Sequence, residues 1–157
     1  MPRIGVLSDT HGLLRPEAKR FLAGSDAIIH AGDIGRAEIL EELSSIAPLT
    51  AVRGNNDRGA WAQELPETEL LRIGAIAVLV LHDVAELGTR AAAAGARVVV
   101  TGHSHKPGLR EEDGVLHLNP GSAGPRRFKL PVSLAELMVS GDSVTARIVE
   151  LAVATKR

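Results

Sequence analysis

The chain has 157 residues, 45% of them hydrophobic, with 18 basic and 19 acidic side chains, a formal charge of −1 and no cysteine. Its length predicts a single domain, 1–157, with ample apolar content for a core. The near-neutral balance excludes a whole-molecule field that would gather nucleic acid or a membrane surface, and the lack of thiols excludes disulfides and thiolate metal ligands.

After Met1-Pro2-Arg3 the chain enters an apolar strand at once, without the charged, long-apolar and small-residue order of a secretory leader. Its longest uncharged apolar run, 73–81, is far short of the roughly 18 residues of a membrane span. A soluble, cytoplasmic protein is expected.

Six short apolar runs follow, nearly all closing on turn residues or metal-ligand types. Ile4-Gly5-Val6-Leu7 leads into Ser8-Asp9-Thr10-His11, Ala27-Ile28-Ile29 into His30-Ala31-Gly32-Asp33, and Leu49-Thr50-Ala51-Val52 into Arg53-Gly54-Asn55-Asn56-Asp57. Run 76–81 ends at His82-Asp83, Val98-Val99-Val100 at Thr101-Gly102-His103-Ser104-His105, and run 115–118 at Asn119-Pro120-Gly121-Ser122. Short β-branched runs without alternation predict strands buried on both faces.

Between the early runs lie helical patterns. Pro16 suits a first helical turn, followed by a stripe of Ala18, Phe21 and Leu22; Ile39, Leu40, Leu43 and Ile46 make a second stripe in 37–47. An Ala-rich helix is expected over 86–94, with Gly95 as its C-terminal cap. Alternating strands and helices imply parallel crossovers. The second half changes character: Asp113-Gly114 signals a hairpin, and Ser140-Gly141-Asp142 separates runs 132–139 and 144–151, predicting antiparallel tail strands. Alternation of Val144, Ala146 and Ile148 with Thr145 and Arg147 predicts one wetter face. There is no repeat, low-complexity tract or linker.

In an open α/β sheet, residues at the carboxyl ends of strands converge although they are distant in sequence. The converging groups here are Asp9, His11, Asp33, Asn55, His82, His103 and His105. Carboxylate, amide and imidazole together suit manganese, zinc or iron better than calcium or magnesium. Seven ligands are too many for one tetrahedral ion, whereas two ions sharing a bridging carboxylate would use them all, the usual clamp for phosphoester hydrolysis. Asp33 in particular needs a positive partner, because an unpaired ionised carboxylate beside a core is costly.

Asp9-Thr10-His11, Gly32-Asp33, Gly54-Asn55-Asn56-Asp57, His82 and Gly102-His103-Ser104-His105 together resemble the motifs of the calcineurin-like metallophosphoesterases. The resemblance runs from Ile4 to about Ser122, and the compact length and Asn-Pro-Gly-Ser ending resemble the small, single-domain phosphodiesterase branch. It implies an α/β fold of four layers, an α/β/β/α sandwich with mixed sheets. It also implies two divalent ions per chain, with manganese expected first and zinc, iron, nickel or cobalt as substitutes. Asp9, His11 and His105 would hold the first ion, Asn55, His82 and His103 the second, and Asp33 would bridge them. Asn55, Asn56, Asp57 and His82 form the candidate catalytic group. The implied reaction is in-line attack on a phosphoester by a hydroxide held between the ions. The expected substrate is a small phosphoester or nucleotide.

Two positions depart from the family pattern. Relatives often carry His where this chain has Asn56, and an amide cannot deliver a proton near neutral pH, so weaker activity on esters with poor leaving groups is expected. Asp83 stands where Gly is common; it either hydrogen-bonds a ligand imidazole or faces solvent. His30 is read equally as a support for a ligand or as a satisfied structural histidine, and His117 as a packing residue inside an apolar strand. Arg126 and Arg127 could reach a substrate phosphate, though adjacent arginines after proline usually form a solvated loop. Arg53 is expected to pair with an acid such as Asp57, and Trp61 to lie in a loop near the site. With one Trp, two Phe and no Tyr, an aromatic platform for nucleic acid is not indicated.

The main rival is an interaction scaffold, weakly active or inactive, because a resembling fold serves as a retromer coat subunit with an impaired metal site. Intact ligand types at all seven positions favour catalysis. A Rossmann-type nucleotide domain is set aside, since no Gly-x-Gly-x-x-Gly turn or Walker lysine motif is present. The short apolar tail strands could pair across a subunit interface in a homo-oligomer.

Overall fold

Two five-stranded mixed sheets pack face to face in the computed structural model, which describes residues 2–88, 95–127 and 129–153. The chain first lays down β1 (Arg3–Leu7), α1 (Pro16–Leu22), β2 (Ala27–His30), α2 (Ala37–Ser44) and β3 (Leu49–Ala51). After the one-turn helix α3 (Ala60–Gln63) come β4 (Thr68–Ile73), β5 (Ile76–Leu81), β6 (Val98–Val100), β7 (Gly108–Glu112), β8 (Val115–Asn119), β9 (Ser133–Ser140) and β10 (Ser143–Glu150).

The first sheet has the order β10-β9-β1-β2-β3 and the second β4-β5-β6-β8-β7. β1, β2 and β3 are parallel, as are β5, β6 and β8, while β9, β10, β4 and β7 run antiparallel to their neighbours. The expected antiparallel tail and the Asp113-Gly114 hairpin are both present. Val144, Ala146 and Ile148 are partly buried while Thr145 and Arg147 are exposed, the wetter face the alternation predicts.

Strand parity builds the core. Val6 and Ile29 of the first sheet meet Val78, Val80, Val98 and Val100 of the second between the layers. The opposite parity of the first sheet, Leu7 and Ile28, packs under Ala18 and Leu22 of α1 and Ile39 and Leu43 of α2. Each fully buried Val, Leu or Ile side chain among these contributes about 1.5–3 kcal/mol. On the far side of the second sheet, Leu87 and Ala96 cover Leu79, Leu81 and Val99. A short 3₁₀ turn occupies Val84–Glu86, and the helix expected over 86–94 lies from residue 89 onward outside the described residues. Among the described residues no helix is long and apolar enough to cross a membrane.

β4 was not apparent in the sequence, because Thr-Glu-Leu-Leu-Arg-Ile does not alternate cleanly and the apolar run 73–81 hides a chain reversal. Ile73 pairs with Ile76 across Gly74-Ala75, and Gly74 takes the positive φ of 60° that suits the first residue of such a turn. Trp61 lies in α3 rather than in a loop and packs against the helix-side core. His117 sits on the outer face of β8, half-buried, because the inward parity belongs to Leu116 and Leu118.

Candidate metal centre

The loops after β1 and β2 are laced together by their backbones. Asp9 N–H donates to Gly32 O (3.0 Å), His11 N–H to Asp33 O (2.9 Å) and Gly12 N–H to Ile34 O (2.8 Å). The loop after β6 joins them through His103 N–H, which donates to Asp9 Oδ2 (3.1 Å), and Gly102 N–H, which donates to His82 O (2.9 Å). Thus the carboxyl ends of parallel strands from both sheets meet at one place.

The lacing forces an uncommon backbone. Asp9, His11, Asp33, His103 and His105 all have positive φ, at 57°, 46°, 56°, 74° and 64°. Asp113, in the hairpin turn, is the remaining non-glycine residue of this kind among the described residues. Such conformations persist only where surrounding structure holds them, and they cluster at functional sites.

Two groups of side chains converge. Asp9, His11 and His105 offer ligand atoms within 4.8 Å of one another, as do Asp9, Asp33 and His82. Asp9 Oδ1 lies 3.6 Å from His11 Nε2, 3.4 Å from His105 Nε2 and 3.9 Å from His82 Nε2. Asp33 Oδ2 lies 3.2 Å from His82 Nε2 and 3.7 Å from His11 Nε2, between the two groups. Rings of His11 and His105 stack at 5.1 Å with their Nε2 atoms 3.2 Å apart.

Asn55 and His103 stand apart from these groups, paired with each other at the exposed rim through His103 Nδ1 and Asn55 Oδ1 (3.2 Å). His103 is edge-on to His82, 5.2 Å between ring centres. Of the seven predicted ligands, five are drawn together and two remain beside them.

These groups suit cations by their own chemistry. Asp9 Oδ1 and His82 Nε2 are buried without a hydrogen-bond partner, a cost of about 1–3 kcal/mol each that a bound cation would remove. His82 Nδ1–H donates to Ala31 O (2.8 Å), which turns the lone pair of Nε2 toward the carboxylates. Burial alone would raise the Asp33 carboxyl; the adjoining His82 and the Asn56 N–H groups outweigh it and hold Asp33 well below the usual carboxylate range. Asp9 is likewise lowered, with burial opposed by His11 and Ser8. His82 is raised despite its burial, because Asp33 and Asp9 face it.

Other predicted residues serve as supports. Asp57 accepts from Ile34 N–H (2.8 Å), Gly35 N–H (3.0 Å) and Gly54 N–H (2.9 Å), so its carboxylate is spent binding the Asp33 loop to the Asn55 loop. Asn56 donates to Asp33 Oδ1 through its backbone N–H (2.9 Å) and to Oδ2 through its side chain (3.0 Å). Asp83 takes a role the sequence did not suggest: Oδ1 caps the 3₁₀ turn by accepting from Ala85 N–H (3.0 Å), while Oδ2 lies 3.9 Å from His103 Nε2, beyond hydrogen-bond distance. Arg53 pairs with Glu67 (3.4 Å), not Asp57. Arg126 and Arg127 are exposed, and the charge of Arg127, after burial, helps lower the pKa of His105.

Sequence reasoning missed three supports. Asn119 donates to Gly102 O (3.0 Å) and Ser104 Oγ (3.2 Å), holding the loop of His103 and His105. Ser8 donates to Asp9 Oδ2 (2.7 Å), and Ser122 to Asp9 O (2.9 Å). Each is a polar residue at a strand end, a pattern shared with ordinary turns, so only the Asn-Pro-Gly-Ser ending carried a signal.

Comparison with known proteins places this geometry in context. The family described as calcineurin-like phosphoesterase superfamily domain matches residues 2–142. A "Probable metallophosphoesterase" of Methanothermobacter thermautotrophicus is 37% identical over 159 residues, covering 93% of this chain and 91% of its own. A phosphodiesterase of Methanocaldococcus jannaschii is 27% identical over 139 residues, covering 76% and 82%. Among solved structures, Vacuolar Protein Sorting 29 from Cryptosporidium parvum superposes with a TM-score of 0.84 at 21% identity, over 96% of this chain and 92% of its own, a likeness of fold.

Proposed function

The chain belongs to the calcineurin-like phosphoesterase superfamily, and from that premise we propose that it is a phosphodiesterase working with two divalent ions, manganese first among them. The observation that carries this reading is the orphaned Asp9 Oδ1, enclosed by three imidazole Nε2 atoms at 3.4–3.9 Å. Asp9, His11 and His105 would hold one ion, Asn55, His82 and His103 the other, with Asp33 facing both. Cations there would supply a water acidic enough to attack phosphorus near neutral pH and positive charge against the phosphoryl oxygens.

The chain's own residues do the rest. Asp57 and Asn119, through backbone contacts, keep the loops in register, so little reorganisation is left to the moment of reaction. Asn56 orients the Asp33 carboxylate through both of its donors. Ala31 O fixes the His82 tautomer. A small phosphoester or nucleotide and a cytoplasmic setting complete the proposal. An interaction scaffold of the same fold is the alternative, and one experiment decides. Asp33→Asn is expected to lower turnover of an aryl phosphodiester by the manganese-loaded chain at least about 100-fold, since even outer supports of metal ligands cost 10–100-fold. Full activity in that variant would sink the mechanism, and no turnover by the wild-type chain with any divalent ion would favour the scaffold.

A further inference from the structure

Beside the centre, Arg53, Asn55, Glu67, His82, Asp83 and Glu86 share the lining of a cavity of about 110 Å³. It is small against the roughly 300–1,000 Å³ of most ligand pockets, yet two predicted metal ligands, Asn55 and His82, are part of its lining. Arg53 is the only arginine or lysine among its described lining residues, and three carboxylates, Glu67, Asp83 and Glu86, line it as well.

The Arg53 guanidinium is held loosely. One terminal nitrogen lies 3.4 Å from Glu67, whose side chain is 75% exposed, and the other donates to Gln63 Oε1 at 3.4 Å. A pair with one partner so exposed contributes little, and most of the five N–H donors are left to spare. Asn56, by contrast, gives its side-chain donor to Asp33 and does not line this cavity.

Resting on the phosphodiesterase reading, we infer that Arg53 is a catalytic residue that stabilises the departing oxygen of a small, uncharged alcohol seated in this cavity. The three carboxylates repel a second phosphate or an acidic leaving group and accept hydrogen bonds from hydroxyls, which selects a neutral, hydroxyl-bearing alcohol. In the reaction the water oxygen bonds to phosphorus while the bond from phosphorus to the ester oxygen breaks and leaves its electron pair on that oxygen. Arg53 donates a hydrogen bond to the growing negative charge and keeps its protons; the alcohol takes its proton from solvent water, and the attacking water gives one up. An interaction that strengthens only as charge develops accelerates the step without tightening ground-state binding.

The test uses methyl aryl phosphate diesters whose leaving phenols range from nitro-substituted to unsubstituted, with the manganese-loaded chain. Arg53→Ala is expected to lower kcat/KM for the phenyl ester at least tenfold more than for the nitrophenyl ester, and Arg53→Lys to fall between. Low concentrations of guanidinium chloride should restore part of the Arg53→Ala loss. An equal loss across all esters with no rescue would overturn the assignment while leaving the phosphodiesterase reading intact, whereas an inactive wild-type chain would overturn both. Among the esters, a carboxyphenyl leaving group should be turned over more slowly than its hydroxymethyl counterpart; the reverse order would overturn the choice of an uncharged alcohol.

Discussion

His30 has both ring nitrogens engaged within the fold. Gly32 N–H donates to Nδ1 (3.1 Å), so Nε2 carries the proton toward Thr10 Oγ1 (3.0 Å), which in turn donates to Ile34 O (2.8 Å). Burial pushes its pKa down to about 4. A histidine whose native pKa is depressed binds its proton more readily when unfolded, so its stabilising contribution is complete above about pH 6.5 and is lost as pH falls toward 4. In the metal-free chain that loss should reach roughly 2–3 kcal/mol between pH 7.5 and 4.5. Urea unfolding at both values should show it in the wild type and show a correspondingly shallower dependence in His30→Gln; identical slopes would refute it. His30 is thus satisfied within the fold, as the structural reading expects, and its two partners belong to the loops that carry Asp9, His11 and Asp33. At this scale residue types at the strand ends were legible, because carboxylate, amide and imidazole advertise their chemistry. The atoms that occupy them were not: Asp57 stood in a ligand motif, yet three backbone amides consume its carboxylate.

Strand-to-loop junctions carry the centre, and their tolerances are set by backbone approach. At Gly54 a Cβ would lie 2.2 Å from both Asp33 N and Asp33 Oδ1. Gly54→Ala must therefore displace the Asp33 loop, and overpacking of this kind costs about 1–3 kcal/mol. We expect a lowered unfolding midpoint together with at least tenfold weaker manganese binding by calorimetry; a change in stability alone would show that the loop shifts without disturbing the ligands. Most elements were visible as apolar runs or stripes, and α1 begins at Pro16 as its sequence suggests. β4 escaped because periodicity weakens in an edge strand that exposes Glu69, Leu70 and Arg72 while only half-burying its other residues.

Across the whole molecule, the sandwich turns two separate sheets into one site. β1, β2 and β3 deliver Asp9, His11, Asp33 and Asn55, and β5 and β6 of the facing sheet deliver His82, His103 and His105. Ions bound at that seam would stabilise the native packing over the unfolded chain, by about 2.7 kcal/mol at a free concentration 100 times Kd. For a chain of this length, manganese should then raise Tm by about 5–10 °C in a thermal melt, and a chelator should reverse it. An unchanged Tm at saturating metal would argue against a site formed by both sheets.

By itself the sequence determined the superfamily, the residue types able to ligate a metal and their places at the ends of buried runs, since these depend on local order and residue chemistry. The tertiary structure alone decided that Asp9 takes part in both groups, that Asn55 and His103 pair at the rim, and that Arg53 shares a cavity with Asn55 and His82. Those relations join residues carried by different sheets. Such distances arise from how two sheets pack, which no short stretch of sequence encodes.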